Sequence, residues 1–173
     1  MNRQCQRMSS RTEVVLLQTA IDAYRQEFIQ GCADRLGDKF KVYCGAEYFV
    51  PSVRTRITAP HLVVENRFLF GRRALFQRNV FYAAVDARVL VYELNPRILS
   101  NWAIVLVRRL RGRKSIGWGH FSGKLKWSHQ AQFLRLAMAR LAGAVFAYTS
   151  PEADKFAEVL PRAEVLELPN SLY

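Results

Sequence analysis

Apolar residues along the chain follow two patterns, short continuous runs and longer segments with helical spacing. Val14 to Leu17 and Arg88 to Tyr92 are short runs rich in β-branched residues, typical of parallel strands buried on both faces. Ile21 to Leu36 instead repeats apolar residues every three or four positions and stops at Gly37, which predicts a helix. The same reasoning predicts strands at 14–17, 40–44, 61–65, 88–92, 115–118, 144–148 and 164–168, and helices at 21–36, 75–85, 97–110, 128–141 and from 150 onward.

This alternation of strands and helices predicts an α/β, doubly wound, Rossmann-like fold. We expect a mostly parallel sheet of about seven strands with helices on both faces. A chain of 173 residues can bury one such core, which we place at 13–168, between a polar basic tail at 1–12 and the start of a linker at 169–173. Ligands of such sheets bind beyond the carboxyl ends of the strands, where the strand order reverses. This rule selects the segments 18–25, 45–49, 93–97, 118–123 and Thr149.

Charge narrows the range of partners. The chain has 26 Lys and Arg against 14 Asp and Glu, a net charge of +12, and no acidic residue lies between Leu94 and Pro151. Such a field attracts phosphate, whether in nucleic acid, lipid headgroups or a phosphorylated substrate. No apolar run is long enough to cross a membrane and the N-terminus lacks a secretory signal pattern, so we expect a cytoplasmic protein. The three cysteines show no C-x-x-C spacing, which indicates neither a disulfide framework nor a metal site.

Polar residues that could take part in binding or catalysis follow two neighbouring predicted strands. Glu93, Asn95 and Arg97 follow the fourth, and Trp118 and His120 end the fifth. A carboxylate, an amide, a guanidinium and an imidazole could therefore meet in one crevice. His120 is the candidate catalytic residue, with a structural histidine as the open alternative. The first strand–helix turn has no glycine, which argues against a dinucleotide fingerprint and a P-loop.

Two groups of basic residues each have two interpretations. Arg108, Arg109 and Arg111 either bind an anion or complement the dipole at the end of their helix. The segment 124–140 combines cations with an apolar stripe formed by Phe133, Leu134, Ala137, Met138 and Leu141. It either contacts an anionic membrane surface or packs on the sheet with its cations solvated. The proposed membrane contacts are Lys124, Lys126, Trp127, Arg135 and Arg140.

The order of these motifs resembles the N-terminal domain of family 4 glycosyltransferases, which have the GT-B fold. The matching motifs are VVLLQ…AYRQEF, YELNPRILSNW, a strand ending in WGH, AYTSPEADKF and VLELPNSLY, and together they cover roughly residues 13 to 173. Pro169-Asn170 matches the start of the linker to the second domain, although Ser171 stands where glycine is usual. By resemblance, Tyr24, Arg25, Glu93, Asn95, Arg97 and Trp118 contact the acceptor, and His120 matches a histidine that such enzymes often carry.

The resemblance implies retaining transfer of a sugar from a nucleotide sugar to a glycan or lipid-linked acceptor, without an obligatory metal. The nucleotide sugar binds the C-terminal domain, which also carries paired glutamates in an E-x7-E pattern and has no counterpart in this sequence. We therefore expect an acceptor-binding half that binds no cofactor, is inactive alone and needs a donor-binding domain, at the inner face of the plasma membrane if it contacts lipid. The alternatives are a non-catalytic, membrane-tethering partner subunit and a basic nucleic-acid-binding domain. The second is disfavoured because no nucleic-acid-binding motif is recognisable.

Overall fold

The computed structural model describes residues 12–121 and 129–169 and contains a central parallel sheet with a separate hairpin. The sheet strands are β1 (Val14–Gln18), β2 (Phe40–Cys44), β3 (Leu62–Val63), β6 (Val89–Glu93), β7 (Ser115–Trp118), β8 (Gly143–Ala147) and β9 (Glu164–Glu167), and the hairpin strands are β4 (Glu65–Leu69) and β5 (Ala74–Arg78). The helices are α1 (Gln26–Leu36), α2 (Phe81–Asp86), α3 (Leu99–Leu110), α4 (His129–Ala142) and α5 (Ser150–Val159).

The seven-stranded sheet confirms the predicted fold class. Its strands are all parallel and lie in the order β3-β2-β1-β6-β7-β8-β9. The order reverses between β1 and β6. From β1 the chain adds β2 and β3 on one side, and it then crosses back to add β6 to β9 on the other side. The crevice beyond the carboxyl ends of β1 and β6 is therefore the expected ligand position.

Helices cover the two faces of the sheet unequally. Leu16 and Val42 face α1 and pack with its Ile29, whereas Val15 and Leu17 point to the opposite face because side chains alternate along a strand. That opposite face carries the larger core, to which α2, α3, α4 and α5 all contribute. In the described part of the chain, α1 is the one α-helix on its face, and it lies over β1 and β2.

The helix predicted at 75–85 is wrong in its first half and confirmed from Phe81 onward. Residues 74–78 form β5, which pairs antiparallel with β4, and α2 starts only at Phe81. Leu75 and Gln77 are buried while Phe76 and Arg78 are exposed, so this segment has the two-residue period of a strand. Asn79 then adopts a left-handed conformation with φ of 63°, which separates the strand from the helix.

Other predicted boundaries shift by a few residues. The predicted helix 21–36 begins as a 3-10 turn at Ala23–Arg25, and α1 proper starts at Gln26. Strand β3 is only two residues long, since the chain leaves the sheet to enter the hairpin. Thr149 caps α5, because its side chain accepts from the backbone N–H of Glu152. Gly37 ends α1 as expected, with φ of 53°, a conformation that favours glycine.

Arg108 has a structural role. It is fully buried, and its guanidinium donates to the carbonyl oxygens of Ala84 (3.0 Å), Val85 (3.1 Å) and Ala87 (2.7 Å) at the end of α2. Its Nε donates to the Ser115 hydroxyl at 2.8 Å. This arginine therefore satisfies the last carbonyls of one helix and ties them to the start of β7. The neighbouring Arg109 and Arg111 are exposed.

Candidate functional site

Glu93 lies at the point where the strand order reverses. It ends β6, and its carboxylate accepts hydrogen bonds from the backbone N–H of Thr19 (3.0 Å) and the side-chain amide of Asn95 (3.2 Å). The Tyr48 hydroxyl bonds to the same carboxylate and accepts from Asn95 Nδ2 at 3.2 Å. Burial, with the charge of Glu93 adding to it, raises the pKa of Tyr48 above its usual range. The hydroxyl therefore stays protonated, and Glu93, Asn95 and Tyr48 form one polar network.

Arg25 is buried on an aromatic platform between the ends of β1, β7 and β8. Its guanidinium donates to the side-chain oxygen of Gln18 at 3.0 Å and to the Tyr148 hydroxyl at 2.7 Å. The guanidinium carbon lies 4.2 Å from the centre of the Trp118 ring, within the range of a cation–π interaction. Trp118 is itself buried, so it supports Arg25 from beneath. Tyr24, the neighbouring candidate, is exposed at the rim.

His120 is fixed by Glu152, an acidic residue in the first turn of α5 that sequence reasoning missed as a site residue. The Nδ1 atom of His120 lies 3.1 Å from Oε1 and 3.3 Å from Oε2 of Glu152. Glu152 also accepts from the backbone N–H of Phe121 at 3.1 Å, and the imidazole packs against the Tyr148 ring with centroids 4.3 Å apart. The pattern T-S-P-E, with glutamate at the third helical position, was the available signal for Glu152. A helix that follows β8 starts beside the end of β7, where His120 lies.

Arg135 lies in the site and not on the surface. We expected it among membrane-binding cations, but it is 6% exposed, and its guanidinium donates to the carbonyl oxygen of His120. Burial lowers its pKa, while Tyr48, Glu152 and Glu93 nearby oppose the shift. Burial therefore removes it from any membrane contact. Arg140 is exposed, as are Phe133 and Leu134 of the predicted stripe, whereas Met138 is buried. Lys124, Lys126 and Trp127 lie outside the described residues.

Arg97 contacts the hairpin and lies close enough to Tyr48 and Glu93 to interact with them electrostatically. Its guanidinium donates to the carbonyl oxygens of Arg72 and Arg73 in the hairpin turn and lies 3.8 Å from the Phe49 ring centre. Its backbone carbonyl accepts from the N–H of Leu75 at 2.9 Å. These partners make Arg97 an anchor of the hairpin, and its expected contact with an acceptor stays a prediction.

The hairpin brings two further residues to the site that sequence reasoning missed. Asn66 and Gln77 face each other across β4 and β5, and their amides donate to the carbonyl oxygens of Thr19 (2.8 Å) and Gln18 (3.1 Å). Gln18 ends β1 and Thr19 follows it, so the hairpin amides bind the carboxyl end of β1, where the Thr19 carbonyl oxygen also accepts from the backbone N–H of Gly45 at 3.1 Å. Neither ENRFL nor ALFQR alternates polar and apolar residues along the sequence, so the sequence pattern gave no signal for this pair.

Several buried polar atoms around the crevice have no hydrogen-bond partner within the described residues. They are Gln18 Nε2, Thr19 Oγ1, Gln77 Oε1 and Trp118 Nε1. Buried polar atoms normally have a partner in the protein or in ordered water. Three of these four belong to residues at the ends of β1 and β7.

Among the described residues, His, Cys, Asp and Glu side chains form no group of three suited to a metal ion. No described helix is both long enough and apolar enough to cross a bilayer. A 370 Å³ depression beside α1 and β3, lined by residues such as Asp34, Lys41 and His61, lies at the sheet edge, away from the crevice.

No protein-family model matches the chain, and no curated protein shows significant sequence similarity to it.

Proposed function

We propose that this chain is the acceptor-binding half of a GT-B-type glycosyltransferase, which transfers a sugar from a nucleotide sugar to a glycan or lipid-linked acceptor. The proposal combines the resemblance of the motifs with the position of the crevice at the reversal of strand order. The observation that carries it is the convergence of His120, Arg25 and the Glu93 network at the carboxyl ends of four adjacent strands. These groups offer donors and acceptors in fixed positions, as recognition of several sugar hydroxyls requires.

In this role the crevice orients an acceptor and a second domain supplies the donor. The Glu93 carboxylate and the Asn95 amide are held by protein partners before any ligand binds, so little ordering cost remains at binding. Rate enhancement in a two-domain transferase requires donor and acceptor in one water-poor cleft. We therefore expect this chain to bind acceptors weakly and to turn over only with a donor-binding domain.

Nuclear magnetic resonance titration tests the proposal. The ¹⁵N-labelled chain is titrated with methyl glycosides of common hexoses and N-acetylhexosamines, with a short-chain prenyl-phosphate glycoside, and separately with nucleotide sugars. At least one acceptor-type ligand should saturably shift the indole signal of Trp118 and the imidazole signals of His120. His120→Ala should weaken that binding, while His61→Ala at the sheet edge should not.

Two results would contradict the proposal. The first is that no glycoside perturbs these signals at millimolar concentration. The second is micromolar binding of a nucleotide sugar, or product formation, by this chain alone. A nucleotide sugar that binds here would place the donor in the crevice that we assign to the acceptor.

A further inference from the structure

We infer that Glu152 is a positioning residue that fixes the tautomer of His120, so that the crevice presents the Nε2 lone pair of this imidazole to a hydroxyl donor. This inference rests on the proposed function only in taking the crevice as the ligand site. It deepens that function, because it names the kind of group that His120 recognises. The contact between the two side chains does not depend on a ligand.

The first step concerns the proton between the two side chains. An ionised carboxylate only accepts hydrogen bonds, and a neutral imidazole has one donor and one acceptor nitrogen. Because both oxygens of Glu152 lie within 3.3 Å of Nδ1, Nδ1 must carry the proton. In the neutral imidazole, Nε2 is then the acceptor. The hydrogen bond made by one ring nitrogen thus decides the state of the other.

The second step concerns the rigidity of this arrangement. Glu152 is held at the start of α5, where Thr149 accepts from its backbone N–H at 3.4 Å, and its own carboxylate accepts from Phe121 N–H. Tyr148 packs against the imidazole at a tilt of 43°, and Arg135 donates to the His120 carbonyl oxygen. The ring and the backbone of His120 are therefore both held, which limits rotation that would exchange its two nitrogens.

The third step concerns what Nε2 can meet. The His120 side chain is 40% exposed whereas Glu152 is 17% exposed, so the imidazole is the accessible member of the pair. No hydrogen bond to Nε2 exists within the described residues. A lone pair in this position accepts from a hydroxyl or an N–H group and repels a fully ionised phosphate oxygen. His120 therefore accepts a hydrogen bond from a ligand hydroxyl. Any anionic group of the ligand lies away from Nε2.

Long-range ¹H–¹⁵N correlation spectra of the imidazoles test this inference in the ligand-free chain at pH 8. We expect His120 to carry its proton on Nδ1 in the unmodified chain. In Glu152→Ala the Nε2–H form should become the major one. His61 is the internal control, because its Nδ1 lies 2.9 Å from the carbonyl oxygen of Ala59 and should stay protonated in both proteins. A His129→Gln background removes the third set of histidine signals.

A second variant guards against a folding defect, since Glu152 also stabilises the first turn of α5. Glu152→Asp keeps the acidic charge there but shortens the side chain by one methylene, and it should also shift His120 toward the Nε2–H form. Two results would overturn the inference. One is an imidazole in the unmodified chain that carries a proton on Nε2, alone or as imidazolium. The other is an unchanged tautomer in both variants with His61 and Trp118 signals intact. Neither result depends on whether a sugar binds, so the proposed function is tested separately.

Discussion

At the scale of single residues, Arg108 joins α2, α3 and β7 through one guanidinium. Burial, together with the charge of Arg113, lowers the pKa of Arg108 to about 10, so it remains charged at neutral pH. Replacement by Met would leave the carbonyl oxygens of Ala84 and Ala87 buried without donors, whereas the Val85 carbonyl oxygen would keep Arg113 as a donor at 3.1 Å. Since each unsatisfied buried group costs about 1–3 kcal/mol, we expect Arg108→Met to lower the free energy of unfolding by roughly 3–5 kcal/mol. Urea denaturation followed by circular dichroism measures the loss.

The adjacent Arg109 supplies the matched control. It is exposed on the same helix turn, and Arg109→Met should change the free energy of unfolding by no more than about 0.5 kcal/mol. Arg108→Lys should fall between the two, because an ammonium has three donors and no planar fork. Equal stability of the Arg108→Met and Arg109→Met proteins would show that the carbonyl oxygens do not depend on Arg108.

At the scale of elements, the sequence was most informative where one pattern had one structural solution. The short apolar runs 14–17 and 88–92 predicted buried parallel strands, and the polar residues that follow them identified the crevice. Residues 75–85 were ambiguous because Leu75, Phe76, Val80 and Phe81 fit a helix as well as a strand, and only pairing with β4 decides between them. Glu152 was missed for a similar reason, since its partner His120 is distant in sequence and adjacent only through the pairing of β7 with β8.

The hairpin also makes a prediction at this scale, because it packs closely on the loop after β2. A Cβ atom on Gly45 would lie 2.0 Å from Nδ2 of Asn66, which also donates to the carbonyl oxygen of Thr19. We expect Gly45→Ala to displace the hairpin and to lower the free energy of unfolding by about 1–3 kcal/mol, as overpacking does. A double-mutant cycle with Asn66→Ala checks the cause. In that background the clash is gone, so Gly45→Ala should cost less than about 1 kcal/mol. Equal costs in both backgrounds would mean that Asn66 is not what requires glycine at position 45.

At the scale of the whole molecule, the sheet is covered well on one face and partly on the other. The α1 face carries Val91 and Ile116 on one row, and Trp118, Phe146 and Leu166 on the next. Trp118 is buried beneath Arg25, Phe146 is half-buried and Leu166 is 58% exposed, so exposure increases toward the β9 edge. Parallel sheets are normally buried on both faces. This partly open apolar face therefore favours association with another protein surface.

Self-association of the purified chain through this face is the expected consequence, and its salt dependence has a definite sign. The net charge of +12 makes two copies repel each other at low ionic strength, and salt screens that repulsion while leaving apolar contacts in place. Sedimentation velocity should therefore show more dimer or higher oligomer at 0.5 M than at 0.05 M sodium chloride. Leu166→Glu should reduce the association at high salt. Leu110→Glu, at a residue that is 78% exposed at the end of α3, is the matched control and should leave it unchanged. A monomer at every salt concentration, or equal effects of the two substitutions, would show that the α1 face does not drive association.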